Sequence, residues 1–202
     1  TDYTTEPNAE RRTTYLTTVI DELISNLTTV TDAWDPAGTD NYRTEFLALP
    51  TDESLTDIIT GIGELGRGEL AGERMLVAYD ERDQENEHSC FSDNTLADIE
   101  ANERGIANVW TGEYPGASDG PGLVELVGSV DTDLASKTTD AIDAVLAEIA
   151  EIPAPFDSNL TPEVADSSPG RVAILTTTEL LDTQTDDFVS VADGLGLAIE
   201  VS

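Results

Sequence analysis

The chain has 202 residues, long enough for one filled core or one large helical bundle, and sets 42 Asp and Glu against 9 Lys and Arg, a formal net charge of -33. That balance excludes a protein that grips a nucleic-acid backbone, because almost nothing is left to neutralise a polyanion. Apolar residues make up 39% of the chain and recur with helical period, which sets disorder aside.

The acids are spread over the whole length and Lys137 is the only lysine. Two explanations compete, a surface for cations or a basic partner and hydration in concentrated salt; the even spread is a global surface property and favours the second. In molar salt the Debye length is about 3 Å, so long-range steering by the charge would be lost. Cys90 is the single cysteine, so no internal disulfide forms. No apolar run of about 18 residues is present, so no transmembrane segment is expected. The opening Thr1-Asp-Tyr-Thr-Thr5 is no signal peptide and reads as the start of a processed or excised piece.

The first predicted helix carries Tyr15, Leu16, Val19, Ile20, Leu23, Ile24, Leu27, Val30 and Trp34 at three- and four-residue spacing, and stops at Pro36 and Gly38. A short turn around Phe46 to Leu49 follows. Pro50-Thr51 opens a long second helix to about Tyr79, with Thr51 as its expected cap. A polar stretch from Asp80 to Phe91 leads to a third helix, Ser92 to Thr111, and then to a Gly/Pro loop from Pro115 to Pro121. Leu123 to Val130 reads as a short apolar helix. Leu134 to Ile152 reads as a longer one, closed by Pro153 and Pro155. The last helix has Ser168 as cap, Pro169 at its first position and a stripe of Ile174, Leu181, Phe188 and Leu195. No strand alternation is present. The fold class is all-α, an antiparallel helical bundle of about four long helices plus short ones, as a single domain over residues 1–202.

Two helices place polar residues on an apolar seam. The second reads Leu55, Ile58, Ile62, Leu65, Glu69, Gly72, Leu76, Tyr79, so Glu69 is expected inside. Glycines at 61, 63, 66, 68 and 72 surround it, at about 1 kcal/mol each against alanine, and would let another backbone or a ligand approach. Glu73 puts a second carboxylate nearby. The third helix reads Thr95, Ile99, Asn102, Ile106, Val109. If the two run antiparallel, Glu69 comes level with Asn102. The bland account is a structural network with Arg67, Arg74, Arg104 or Asn102; the sharper one is a metal ligand or general base. His88, the only histidine, ends a single Glu-x-x-His at Glu85, whereas a di-iron bundle needs two copies.

The strings Glu69-Leu-Ala-Gly-Glu-Arg-Met75, Asp83-Gln-Glu-Asn-Glu-His-Ser-Cys-Phe-Ser-Asp-Asn-Thr95 and Asn102-Glu-Arg-Gly-Ile-Ala-Asn-Val109 resemble, in order, the second half of the imelysin family. Upstream, Thr1-Asp-Tyr3, Asn8-Ala-Glu-Arg-Arg12 and Asn41-Tyr-Arg43 extend the resemblance. Downstream, Gly122-Leu123, Ile152-Pro153, Pro155-Phe-Asp157 and Ala192-Asp-Gly-Leu-Gly-Leu197 do the same. The resemblance implies an exported, periplasmic or surface-attached protein of an iron-uptake system, built from two helical halves. It implies a metal site, for iron or zinc, on a Gly-x-His-x-x-Glu motif of the first half, with the Cys-Phe-Ser-Asp-Asn segment near the same centre. Some members are called metallopeptidases.

Two departures stand out. Gly-x-His-x-x-Glu is absent, and Leu96 stands where the family pattern continues with histidine. The family motif carries Glu69, Glu73, Arg74, His88, Ser89, Asp93 and Asn94 over as site-lining residues, with Asn102 added from the seam. His88 and Glu69 are the expected metal ligands. Asp93 and Asn94 have a competing role as caps of the third helix. Three functions compete: a non-catalytic half of a metal- or ligand-binding cleft, a metal-dependent peptidase, and a structural module. The first two need an N-terminal imelysin half, in the same or a separate chain, as partner, with iron-uptake components beyond it and no nucleic acid.

Overall fold

In the computed structural model, which describes residues 3–201, the regular structure is helical throughout the described residues; Thr1 and Asp2 of the family string lie outside them. The chain divides into two compact units, Thr1–Ser54 and Leu55–Ser202.

The first unit holds α1 (Ala9–Ala33) and α2 (Tyr42–Leu47). Asn41 ties the two together: its amide donates to the carbonyls of Asp32 and Asp35, and its side-chain oxygen receives the Thr44 amide at 3.1 Å. Trp34 packs edge-on to Tyr42, ring centres 5.2 Å apart, and tilted against Phe46. The apolar stripe forms as the spacing predicts, yet α1 buries none of its residues; from Tyr15 to Val30 the stripe is 41–72% exposed.

The second unit begins in α3 (Thr51–Glu64), whose first residue is Thr51 itself: Ser54 N–H bonds to the Pro50 carbonyl, so Thr51 is helical and not the cap. The helix then widens into a π-helical segment, Leu65–Leu76, before α4 (Val77–Glu81). This changes which side chains face inward. The i→i+5 bonding of a π-helix puts more residues into each turn. Between Ile62 and Tyr79 the large buried side chains are Leu70 and Met75, with Gly63, Gly66, Ala71 and Ala78 the other buried positions. Of the α-periodic seam, Leu65, Gly72 and Leu76 are only partly buried, with Leu65 and Leu76 packed at the edge of the core. Glu69 is exposed, contrary to expectation, because the turn around it is wider than the spacing argument assumed.

α5 (Thr95–Thr111), α6 (Leu123–Gly128), α7 (Thr132–Ile149) and α8 (Pro169–Gly194) complete the unit. α8 lies against α7 and the π segment, and α5 and α6 pack on α7. One part of the core gathers Leu70, Met75, Ile99, Val145, Ile174 and Leu181, and another Ile59, Ile106, Trp110, Ile142 and Phe188. Gly63 and Gly66 permit the close approach: a Cβ on the first would lie 3.0 Å from Val201, and on the second 3.2 Å from the Thr185 hydroxyl of α8. Gly112 ends α5 at φ 70, where any Cβ would meet the Gly120 carbonyl at 2.3 Å. Buried threonines of α8 donate back along their own helix, Thr177 to Ala173 and Thr185 to Leu181.

The one lysine has a specific task. Lys137 of α7 reaches Asp187 of α8 at 2.5 Å, and that carboxylate is buried while the lysine is largely open to water. Replacing Lys137 with Met leaves Asp187 charged and unpaired. We expect a loss of about 2 kcal/mol in denaturant titration, reduced from the value for a closed pair because water reaches the lysine side. Adding Asp187→Asn should recover most of it.

Candidate functional site

The string Asp83–Thr95 forms the connection between α4 and α5. α4 ends at Arg82 in the left-handed conformation, φ 52. Asp83 then accepts the Glu85 amide at 2.9 Å and starts a single 3-10 turn, Gln84–Asn86. The segment facing this loop holds the downstream family matches Ile152-Pro153 and Pro155-Phe-Asp157, with their continuation to Asp166. The two are clamped together. Arg82 donates to the carbonyls of Thr161 and Val164 and to Asp166. Arg171, buried near the start of α8, donates to Asp166 at 3.0 Å, to the Asn159 carbonyl at 3.4 Å and to the Tyr79 carbonyl at 3.1 Å. Its guanidinium lies 3.7 Å over the Tyr79 ring. Asn159 in turn donates to the carbonyls of Pro153 and Phe156, each at 3.0 Å.

Between loop and clamp lies a cavity of about 350 Å³, walled by Arg82, Gln84, Glu87, Cys90, Phe91 and Asp157 among others. Gln84 donates to Asp157 at 3.1 Å. Glu87 is buried, and its Oε1 has no hydrogen-bond partner. Burial pushes its carboxyl above the usual range; the Thr95 hydroxyl donating to it pulls the other way, and Asp157 and Asp93 nearby push further up. Phe91, beside the half-buried Cys90, is almost wholly exposed.

A second cavity of about 230 Å³ takes Asp93, Asn94 and Leu96 on one side and Pro155 and Phe156 on the other. Asp93 is in the left-handed conformation, φ 52, so α5 starts at Thr95 and not at Ser92. Asn94 holds the cap position, but its side chain accepts no backbone N–H. Instead it donates to Asp98 at 2.8 Å, and Ser89 also donates to that carboxylate. Asn102 closes this network by donating to the Asp98 carbonyl at 2.6 Å.

The expected site residues therefore fall into separate groups. Asp93 and Asn94 line a cavity with the Pro155 segment, and Ser89 braces the loop behind them. Glu69 forms an ion pair with Arg74, which also donates to Asn102 at 2.7 Å. The predicted levelling of Glu69 with Asn102 is thus made through an arginine, as the bland network reading had it. Glu73 and His88 are exposed. Of the two expected metal ligands, Glu69 is bound to a guanidinium and His88 is exposed, and among the described residues no group of three or more His, Cys, Asp or Glu is gathered.

Sequence reasoning passed over Glu87 and Glu103. Glu103 is fully buried on α5, where Thr95, Ile99, Glu103, Ile106 and Trp110 are the inward residues. The signal was Trp110: a large aromatic belongs inside, and following the helix back from it reaches position 103, not 102.

No curated protein matches the chain. The family model for imelysin, described as peptidase M75, matches residues 1–188 and so takes in both units and every element just described except the end of α8. The chain belongs to the imelysin family.

Proposed function

We propose that this imelysin-family chain contributes one side of a metal- or ligand-binding cleft in an exported iron-uptake system, working in concentrated salt and without catalysis of its own. The observation that carries the reading is the cavity between two family strings, Asp83–Phe91 and Pro155–Asp157, with a buried carboxylate at Glu87 that has an oxygen to spare. A carboxylate so placed gains from a cation or donor brought in from outside. The donors here are too few to close a coordination shell, so the remaining ligands come from the N-terminal imelysin half. Export and the iron-uptake role rest on the family resemblance, and the salt adaptation on a charge of -33 with a single lysine.

Metal content measured by mass spectrometry, after loading with iron or zinc, tests the reading. The chain combined with an N-terminal imelysin half should retain metal, and Glu87→Gln should lower retention at least tenfold. No retained metal in the combined protein would remove the metal-cleft reading. The peptidase reading needs two or three ligands, an activated water and a base. Chelator-sensitive peptide cleavage by this chain alone would reverse the order of the two.

A further inference from the structure

Glu103 is the most deeply enclosed carboxyl among the described residues: fully buried, with one hydrogen bond, from Gln184 Nε2 to its Oε2 at 3.4 Å. Gln184, on α8, is fully buried too. Two acceptor atoms of this pair have no partner, Glu103 Oε1 and Gln184 Oε1. A buried acceptor without a donor is costly, and an ionised one more so. A single proton satisfies both atoms. A proton on Glu103 Oε1 turns that atom into a donor, and the acceptor it needs is Gln184 Oε1. The acid and the amide then close a ring of two hydrogen bonds, O–H to the amide oxygen and N–H to the acid carbonyl. A metal ion is a poorer answer, because the surroundings are tight: a Cβ on Gly66 of the π segment would already lie 3.2 Å from Thr185 Oγ1, and 3.8 Å from both Gln184 Nε2 and Ile106 Cδ1.

We propose that Glu103 is a neutral carboxylic acid in the folded protein, locked to Gln184 as an acid–amide pair, and that loss of its proton is a built-in alkaline release of the contact joining α5 and α8. Among the described residues no charged group competes for it. On α8, Asp182 and Asp186 are held by Arg67 of the π segment, and Asp187 by Lys137 of α7. Arg74 of the π segment is turned to Glu69 and Asn102, and Arg104 on α5 to Glu100. Burial alone pushes the Glu103 carboxyl up, to about 8, against a smaller downward pull from the Gln184 amide. The folded protein therefore keeps this proton to about pH 8, while the unfolded chain releases it near 4.5. Between those values the folded state binds more protons, so stability falls as pH rises and levels off above the upper value.

The full chain, in molar salt, tests this in two ways. Denaturant titration from pH 5.5 to 8 should show the folding constant of the wild type falling by up to about tenfold per pH unit. In Glu103→Gln, which puts an uncharged amide at the same place, the slope should flatten by the share of this one proton, and the protein should be the more stable of the two at pH 8. Infrared spectra of the wild type need no variant: a protonated-carboxyl carbonyl band should be present at pH 7 and vanish by about pH 9.5. Absence of that band at pH 7 would overturn the proposal, as would parallel pH curves for wild type and Glu103→Gln.

Discussion

Replacing Arg171 with Ala should lower the folding free energy by about 3–4 kcal/mol, chiefly by leaving the carbonyls of Tyr79 and Asn159 without donors in a closed region. The lost stacking over Tyr79 adds to this. Asp166 matters less: its side chain is mostly exposed and retains Arg82. Arg171→Lys should recover under half of the loss, because one ammonium cannot span three acceptors set around a planar fork. Equilibrium unfolding gives the energies, and amide exchange gives the place. Exchange should quicken from Asn159 to Val164, the wall of the larger cavity. A change under 1 kcal/mol would mean that water replaces the guanidinium without penalty.

The second large effect concerns Trp110. It is fully buried, packs against Phe188 with ring centres 6.2 Å apart, and donates its indole N–H to Thr139 at 2.9 Å. Trp110→Ala should cost about 3–5 kcal/mol through lost burial and an incompletely closed cavity. Trp110→Phe should cost nearer 1–2 kcal/mol. Thr139 keeps its own bond to the Ala135 carbonyl, so losing the indole strands no donor. Thermal or chemical denaturation separates the two variants. Near-equal losses would show that the hydrogen bond, rather than volume, holds this end of the core.

Most of the fold was legible wherever ordinary α period holds. The stripe of α8, its Pro169 start and the helix stopped by Pro153 follow from spacing and from proline's missing N–H. The site was less legible, for two physical reasons. Spacing rules assume a constant number of residues per turn, and the π segment breaks that assumption between Leu65 and Leu76. This is why Glu69 looked internal and Leu70 did not. On α5 the error was a single position: Asn102 and Glu103 are neighbours, polarity alone does not choose between them, and only the demand to bury Trp110 does. The family strings did point to the loop and the proline segment that wall the cavities. They did not single out Glu87, which is buried while the charged residues around it in the same string, Asp83, Glu85 and His88, are exposed.

The wide-turned stretch also bears on how the chain tolerates changes in length. Losing one residue there, such as Gly68, with the remaining turns keeping their present width, would shift the phase of everything that follows. Each residue of an α-helix advances about 100° around the axis and each residue of a wider turn somewhat less, so everything beyond the deletion would rotate by roughly a quarter turn. Met75 would leave the interior and Arg74 would lose its reach to Asn102, although no apolar residue had been touched. Here an insertion or deletion is a more drastic edit than most substitutions.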